Sequence, residues 1–222
     1  MSLFHSPSLV TSGLVLCLDA GNTKSYPGSG TTWTDLSGNG NTGTLVNGPT
    51  YSSANGGSIV FDGVNDMAEC QPSSLFNFGT DNFSAFVWVR FSQMVDYPTL
   101  FELDNVASGN GILFYGNTAA DPRFRTWIGN AVRNSTALFA VNTWYHCGVS
   151  RSSGVVSQYI NGVLDGTFTG SGNVTSGQFL RIGTAHYGRF NGRHAGATIY
   201  NRALSAAEVQ QNFNALRGRY GV

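Results

Sequence analysis

The segment RFRTWIG, which begins at Arg123, carries residues suited to binding a ligand. Because the side chains of a β-strand alternate between its two faces, Arg123, Arg125 and Trp127 share one face, and the residues between them suit a core. An exposed indole ring beside two guanidinium groups offers a flat apolar surface next to hydrogen-bond donors for sugar hydroxyls or carboxylates. The alternative is structural, with Trp127 packed beneath a loop and the arginines in ion pairs. Both interpretations stay open here.

A second candidate binding site is the loop that contains His186, Tyr187 and Arg189. The loop combines an aromatic ring with two nitrogen-bearing side chains that donate hydrogen bonds.

Asp62, Asn65 and Asp66 cluster in the segment FDGVND and are the candidate metal ligands. Calcium takes about six to eight oxygen ligands, many of them from loop carboxylates and amides. The same residue types also form turns, because short Asp and Asn side chains accept hydrogen bonds from nearby backbone N–H groups. We favour the turn interpretation and predict no cofactor, with calcium as the alternative.

The cysteines and histidines lack the spacing of a metal or catalytic site. The three cysteines lie far apart in apolar segments, as reduced, buried thiols do: Cys17, Cys70 and Cys147. The four histidines show no zinc-ligand spacing. No nucleophile-elbow motif occurs either. We therefore predict no catalytic residues.

The composition argues against nucleic acid and membrane as partners. Twelve basic and twelve acidic side chains give a net charge of zero, whereas nucleic acid binding needs a basic surface. No apolar run approaches the ~20 residues that span a bilayer.

The charges are unevenly distributed along the chain. Residues 1–121 carry ten acidic and two basic side chains, and residues 122–222 carry two acidic and ten basic ones. If strands from both halves interleave in one sandwich, these charges largely neutralise each other. The alternative is head-to-tail contact between acidic and basic surfaces of neighbouring subunits. We favour interleaving.

Short strands separated by turn residues dominate the chain, which contains 29 glycines and only 11% charged residues. Runs such as FSAFVWVRF and TWYHCGVSR read as strands, and Asn161-Gly162 between two runs predicts a two-residue hairpin. This regular spacing predicts an all-β fold, a two-sheet antiparallel jelly-roll sandwich. We expect one domain over residues 13–222, preceded by an N-terminal arm over residues 1–12.

One short C-terminal helix is predicted in the segment LSAAEVQQNFNALRGRYG. Ser205 suits the N-cap, and Glu208 three residues later completes a capping box. Phe213 belongs to the apolar stripe that would pack on the sandwich. Gly218 is expected to end the helix.

The segments FDGVNDMAE, NFSAFVWVRFS and IYNRALSAAEV follow one another along the chain. Their sequences and order resemble the laminin-G-like, concanavalin A-like jelly-roll domains, and the resemblance covers residues 58–217. The opening, residues 13–63, resembles the start of such domains in virion proteins of tailed phages, notably marine and cyanobacterial ones. One departure is the segment GRHAG at residues 192–196, which lacks the acids that the family often has there.

Laminarinase-type glycoside hydrolases of the same superfamily carry the motif Glu-x-Asp-x-x-Glu on one strand. Residues 102–104 (ELD) match its first part, but Ala107 stands where the last Glu belongs. A retaining glycosidase needs two carboxyl groups about 5–5.5 Å apart. The other glutamates, Glu69 and Glu208, lie far from this motif in sequence. We therefore expect no enzymatic activity.

The resemblance implies a non-enzymatic virion surface or structural protein of a tailed phage: a capsid decoration, head fibre or tail component made in the host cytoplasm. Its expected partners are other virion proteins, in an oligomeric particle, with host-surface polysaccharide as a further ligand. Candidate assembly residues are the apolar ones of the arm, because free termini commonly order on assembly: Leu3, Phe4, Leu9 and Val10. The alternatives are a free-standing carbohydrate-binding lectin module and a degenerate glycoside hydrolase. This fold hosts all three roles, so fold alone does not decide among them.

Overall fold

The structure is a computed structural model that describes residues 7–103, 109–175, 177, 179–184 and 187–222. The strands, in chain order, are β1 (Leu14–Asp19), β2 (Thr32–Trp33), β3 (Gly43–Val46), β4 (Thr50–Ser52), β5 (Ser58–Asp62), β6 (Met67–Cys70), β7 (Phe83–Phe91), β8 (Thr99–Leu103), β9 (Ile112–Thr118), β10 (Asp121–Ile128), β11 (Ala131–Leu138), β12 (Trp144–Ser152), β13 (Val155–Ile160), β14 (Val163–Thr169), β15 (Leu180–Ile182) and β16 (Asn191–Tyr200). Short 3₁₀ helices cover Ala54–Gly56 and Ser74–Phe76, and the helix α1 covers Ala206–Tyr220.

The strands form two antiparallel sheets of eight strands each. The first sheet has the order β14-β13-β12-β7-β16-β5-β4, and β1 joins it by pairing with β16. The second sheet has the order β11-β10-β9-β8-β15-β6-β3-β2. One hydrophobic core contains residues from both sheets, which confirms the predicted all-β jelly-roll sandwich with one C-terminal helix.

Aromatic side chains fill the core between the sheets. Phe91 of β7, Phe114 of β9 and Phe124 of β10 are each at most 1% exposed. The rings of Phe114 and Phe124 lie 5.3 Å apart in an edge-on arrangement, as do those of Phe91 and Phe190. Because every second residue of these strands faces the core, the residues between them are available to the outer faces.

The helix α1 covers the outer face of the first sheet. The predicted capping box is confirmed: Ser205 Oγ accepts from Glu208 N at 3.3 Å, and Glu208 Oε2 accepts from Ser205 N at 2.8 Å. The ring of Phe213 stacks on Trp88 at 5.7 Å. Among the described residues, no helix is long and apolar enough to cross a bilayer.

The end of the helix differs from the prediction. Gly218 lies inside α1, and the chain leaves the helix at Gly221, whose φ of 70° is left-handed. Tyr220 explains the extension, because its ring packs 4.5 Å from Trp88 and 4.7 Å from Trp144. Burial of this aromatic ring outweighs the low helix propensity of the preceding glycine.

The strand β11 was not among the predicted strands, because the middle of its sequence AVRNSTAL is a run of four polar residues. Among the described strands it pairs with β10 alone, at one edge of the second sheet. Asp165 of β14 holds it from the other sheet: the carboxylate accepts from Thr136 N at 3.0 Å and pairs with Arg133 at 3.1 Å. A contact between the two sheets therefore stabilises a strand whose own sequence does not strongly predict a strand.

The described part of the arm packs on its own chain. Val10 N donates to the side chain of Asn212 at 2.8 Å, and its carbonyl accepts from the Tyr200 hydroxyl at 3.0 Å. These contacts join the arm to α1 and to β16.

The candidate assembly residues therefore fall into two groups. Leu9 and Val10 are half-buried against their own chain. Leu3 and Phe4 lie outside the described residues. The assembly role of all four stays a prediction.

Ion pairs join the acidic first part of the chain to its basic second part. Two described pairs that do so are Arg219–Asp19 and Arg181–Glu69, each at 2.8 Å. The fold brings these distant partners together, which agrees with charge neutralisation within one sandwich. Arg123 and Asp121, which pair at 2.7 Å, are already neighbours within β10.

Candidate functional site

A cleft lined by aromatic rings lies at the outer face of the second sheet. Its lining residues are Tyr97, Tyr115, Tyr187 and Arg125, and its volume is about 270 Å³. We call it the tyrosine cleft. The three rings contact one another, with centroids 5.2 Å apart for Tyr115 and Tyr187, 6.1 Å for Tyr97 and Tyr187, and 6.4 Å for Tyr97 and Tyr115.

Strand alternation positions the floor of the cleft. In β9, Phe114 faces the core while Leu113 and Tyr115 face outward. Arg125 of β10 lies directly opposite Tyr115 in the antiparallel register. Residues opposite each other in neighbouring strands share a face, so these two side chains meet.

Two loops supply the walls of the cleft, and their backbones are in close contact. Tyr97 has a φ of +53°, which is unusual for a residue with a side chain. Gly188 N donates to the Tyr97 carbonyl at 2.8 Å. A Cβ on Gly188 would lie 2.6 Å from the Asp96 carbonyl, so only glycine permits this approach. The strained backbone and the close contact together hold Tyr187 beside Tyr97.

Arg125 brings a positive charge to the cleft. Its guanidinium carbon lies 5.4 Å from the centroid of the Tyr115 ring, and Nη1 donates to Asn117 Oδ1 at 3.2 Å. Burial raises the pKa of Tyr115 to about 12, which Arg125 offsets only in part. At neutral pH the phenol is therefore a neutral hydrogen-bonding group beside a cation.

The other two residues of the predicted Arg–Trp–Arg face have different surroundings. Arg123 pairs with Asp121 through Nε and donates from Nη1 to the carbonyls of Ser135 and Thr136, so these two donor groups are engaged within the fold. Trp127 is half-buried and packs against Leu113 and Tyr115 behind the cleft. Of the three, only Arg125 lines the tyrosine cleft.

The second predicted site adjoins the first. Tyr187 lines both the tyrosine cleft and a neighbouring depression of about 510 Å³. Arg189 and Asp96 also line this depression, and Arg189 is exposed. The remaining predicted residue, His186, lies outside the described residues. The fold thus joins two sites that were predicted separately.

The candidate calcium ligands form turn hydrogen bonds. Asp62 Oδ1 accepts from Val64 N at 2.7 Å, and Asp66 Oδ2 accepts from Asp62 N at 3.0 Å. The carbonyl of Asn65 accepts from the Asn47 side chain at 2.9 Å. Burial raises the pKa of Asp66. Within the described ranges, no group of three or more His, Cys, Asp or Glu side chains could hold a metal ion.

The fold brings Glu69 nearer to Glu102 than their sequence separation indicated. Arg181 of β15 lies opposite Glu69 of β6 on one side and Glu102 of β8 on the other. Strands spaced about 4.8 Å apart put the two glutamates about 10 Å apart along this row. Arg181 binds the Glu69 carboxylate at 2.8 Å. The residues 104–108, with the rest of the hydrolase-like motif, lie outside the described residues.

The thiols of the chain do not form a site. All three cysteines are free and buried. Burial raises the pKa of Cys17 and of Cys70 to about 12, so neither is a thiolate at neutral pH.

Tyr97 and Tyr115 were missed as site residues from the sequence. Alternation in GILFYG indicates that Tyr115 faces away from Phe114, so part of the signal was present. Tyr97 lies in a loop without periodicity, and only the fold places it beside Tyr187.

The family model for laminin-G-like domains of the concanavalin A-like lectin/glucanases superfamily matches residues 61–210. The match covers more than half of the chain, and the chain belongs to this family. No curated protein sequence matches it.

Similar solved structures share the fold at low sequence identity. Domain 4 of AbnA, an extracellular arabinanase from Geobacillus stearothermophilus, in complex with arabinotriose, is 19% identical with a TM-score of 0.69, and the match covers 90% of this chain and 98% of that domain. The binding domain of Paraclostridial Mosquitocidal Protein 1 is 17% identical with a TM-score of 0.72, covering 91% of this chain and 52% of that one. Trypanosoma rangeli sialidase with the inhibitor DANA is 16% identical with a TM-score of 0.69, covering 95% of this chain and 35% of the sialidase.

Proposed function

We propose that this protein is a non-catalytic carbohydrate-binding domain and that the tyrosine cleft is its binding site. The observation that carries the proposal is the convergence of three tyrosine rings and an arginine in one cleft. Binding sites are typically concave and largely apolar, with a few polar groups that orient the ligand.

The chemistry of the cleft suits a sugar. Tyr97 and Tyr187 are 37% and 49% exposed, so their rings offer flat apolar surfaces to the C–H face of a pyranose or furanose. Arg125 supplies hydrogen-bond donors for hydroxyl groups at the edge of the ring. The depression beside Tyr187 extends the surface, which favours an oligosaccharide over a single sugar.

Two of the structural relatives support this proposal. The AbnA domain has nearly the same extent as this chain, and its structure contains arabinotriose. The mosquitocidal protein segment is described as a binding domain.

Glycan-array binding followed by calorimetry tests the proposal. We expect Tyr187→Ala to weaken binding of the selected saccharide by about tenfold or more, as loss of a central aromatic contact does. Val163→Ala, at a hairpin residue that is 64% exposed, is the matched control and should bind normally. Binding that is unaffected by Tyr187→Ala, or absent from every saccharide tested, would refute the proposal.

We propose that the domain lacks glycosidase activity. The Arg181 guanidinium binds the carboxylate of Glu69, the nearest other glutamate in the row, so Glu69 is engaged within the fold. Assays for released reducing ends on β-glucans should show no turnover. Turnover that Glu102→Gln abolishes would contradict this.

For the biological setting, we propose the surface of a tailed-phage virion, with capsid or tail proteins as partners in an oligomeric particle. The support is the resemblance of residues 13–63 to the opening of such virion domains. Antibody labelling of purified particles under the electron microscope tests it. Particles that never contain the protein would exclude this setting without affecting the sugar-binding proposal.

A further inference from the structure

The charge of Arg125 distinguishes the tyrosine cleft from a site for neutral sugars. Arg125 has no carboxylate within ion-pair distance among the described residues, whereas its neighbour Arg123 pairs with Asp121 at 2.7 Å. Nη1 of Arg125 donates to the Asn117 side chain, and Nη2 has no acceptor in the part of the chain that the structure describes. An arginine positioned on an aromatic ring with a free edge can bind a carboxylate.

A second cation lies on the other side of Tyr187. Arg189 is exposed in the adjoining depression and pairs with no carboxylate of the described ranges. Among the described residues that line the depression, Asp96 is the one acidic group, and its Oδ1 accepts from Ala119 N at 2.8 Å. The lining of the two cavities together therefore carries two positive charges and one negative charge.

The aromatic surroundings strengthen this attraction. Tyr115 lies beneath Arg125 and is only 3% exposed, so the guanidinium faces a low-dielectric wall on one side. Coulomb attraction grows as the local dielectric constant falls. The phenol of Tyr115 is neutral at physiological pH because burial raises its pKa to about 12, so it does not repel an anion.

We infer that the tyrosine cleft selects acidic oligosaccharides, in which a sugar carboxylate binds Arg125 while a sugar ring lies against Tyr187. This inference rests on the proposed carbohydrate-binding function and names its ligand class. Uronic acids and sialic acids both supply such a carboxylate.

Paired ligands test the inference by calorimetry on the full chain. Oligogalacturonate is compared with its methyl ester, and sialyllactose with lactose. The members of each pair differ in charge, and the two pairs distinguish a uronic acid from a sialic acid as the source of the carboxylate. We expect the acidic member of at least one pair to bind about tenfold or more tightly, and its affinity to fall with added salt.

Variants then connect the preference to Arg125. Arg125→Gln should bring the ratio of acidic to neutral affinity close to one, because the acidic ligand loses more than the neutral one, and Arg125→Lys should retain part of the preference. Arg217→Gln removes the same charge from an exposed position on α1 and should change nothing. If Arg125→Gln fails to fold, the salt dependence of the wild-type chain is the deciding measurement.

The outcomes separate this inference from the proposed function. Tyr187-dependent binding with equal affinity for charged and neutral ligands overturns the inference and leaves the function standing. An acid preference that persists in Arg125→Gln also overturns it. Absence of binding to all four ligands and to a glycan array overturns both.

Discussion

Arg151 is a buried cation without a carboxylate partner among the described residues. Its guanidinium donates to the carbonyls of Gly79, Asp81 and Gly172 at 2.7–2.9 Å and lies 4.6 Å from the centroid of the Phe83 ring. Burial lowers its pKa to about 10, so the group stays charged at neutral pH. One side chain of β12 thus joins two separate loops, one before β7 and one after β14.

Arg151→Met should therefore destabilise the fold by about 3 kcal/mol or more, because several buried carbonyls lose a charged donor. Urea unfolding measures this loss. Arg123→Met is the control, since a half-exposed ion pair contributes at most about 1 kcal/mol. If both variants lose the same free energy of unfolding, water must replace the hydrogen bonds of Arg151, and the prediction is wrong.

Two buried histidines make the fold sensitive to acid. His146 lies between Phe86 and Trp88 at 5.1 and 4.9 Å, and His194 contacts Trp33 at 6.1 Å. Burial lowers the pKa of each to about 3, from 6.5. Between pH 3 and pH 6.5 the two histidines of the unfolded chain therefore bind protons that those of the folded chain do not.

Stability should therefore be fully present above pH 6.5 and decline as the pH falls from there toward 3, by about 1.4 kcal/mol per pH unit for each histidine. His146→Phe removes one of the two protons. Its free energy of unfolding should fall less steeply below pH 6 than that of the wild type, as measured by urea titrations at several pH values. Parallel pH profiles would show that His146 is not neutral and buried.

At the scale of elements, α1 is attached to the first sheet mainly through its aromatic face. Phe213 is 7% exposed, stacks on Trp88, and contacts the hairpin turn at Gly162, where a Cβ would lie 3.0 Å from Phe213 Cβ. Phe213→Ala should cost about 3–5 kcal/mol through the lost contact and the cavity. Ser205→Ala should cost about 1 kcal/mol by removing the cap alone. A loss below 1 kcal/mol for Phe213→Ala would show that the packing of α1 contributes little to the stability of the fold.

Asp165 joins the edges of the two sheets. Burial would raise its pKa, but hydrogen bonds from Thr136, Ala137 and Arg133 outweigh this effect and lower it. Asp165→Asn should therefore cost about 1–3 kcal/mol at neutral pH. Because a lowered carboxyl pKa stabilises the fold only above the unfolded value of about 3.9, the difference from wild type should shrink as the pH falls below 4. A difference that is constant from pH 7 to 3 would contradict this.

At the scale of the whole molecule, two arm deletions separate folding from assembly. Removing residues 1–12 breaks the hydrogen bonds of Val10 to Asn212 and Tyr200, so we expect a loss of about 1–3 kcal/mol and a lower melting temperature. Removing residues 1–6 keeps those bonds, and the melting temperature should stay unchanged. If Leu3 and Phe4 anchor the protein in a particle, the shorter deletion should already abolish incorporation. Normal incorporation of the longer deletion would exclude the arm as anchor.

Local patterns in the sequence determined much of the architecture. Period-two alternation marked β10, strand-like apolar runs marked β7 and β12, the Asn161-Gly162 pair marked the hairpin, and Ser205 with Glu208 marked the start of α1. These signals are local because side-chain alternation, turn dihedrals and capping depend on residues within a few positions of each other.

Contacts between distant parts of the chain decided the rest. The sequence placed Arg125 on an outward face and singled out Tyr187, but only the fold brought them together with Tyr97 and Tyr115. The end of α1 and the strand β11 likewise depend on partners far along the chain, Trp88 and Asp165. Such contacts leave no periodic trace, because the sheet register and loop packing that create them are set by burial of the whole core.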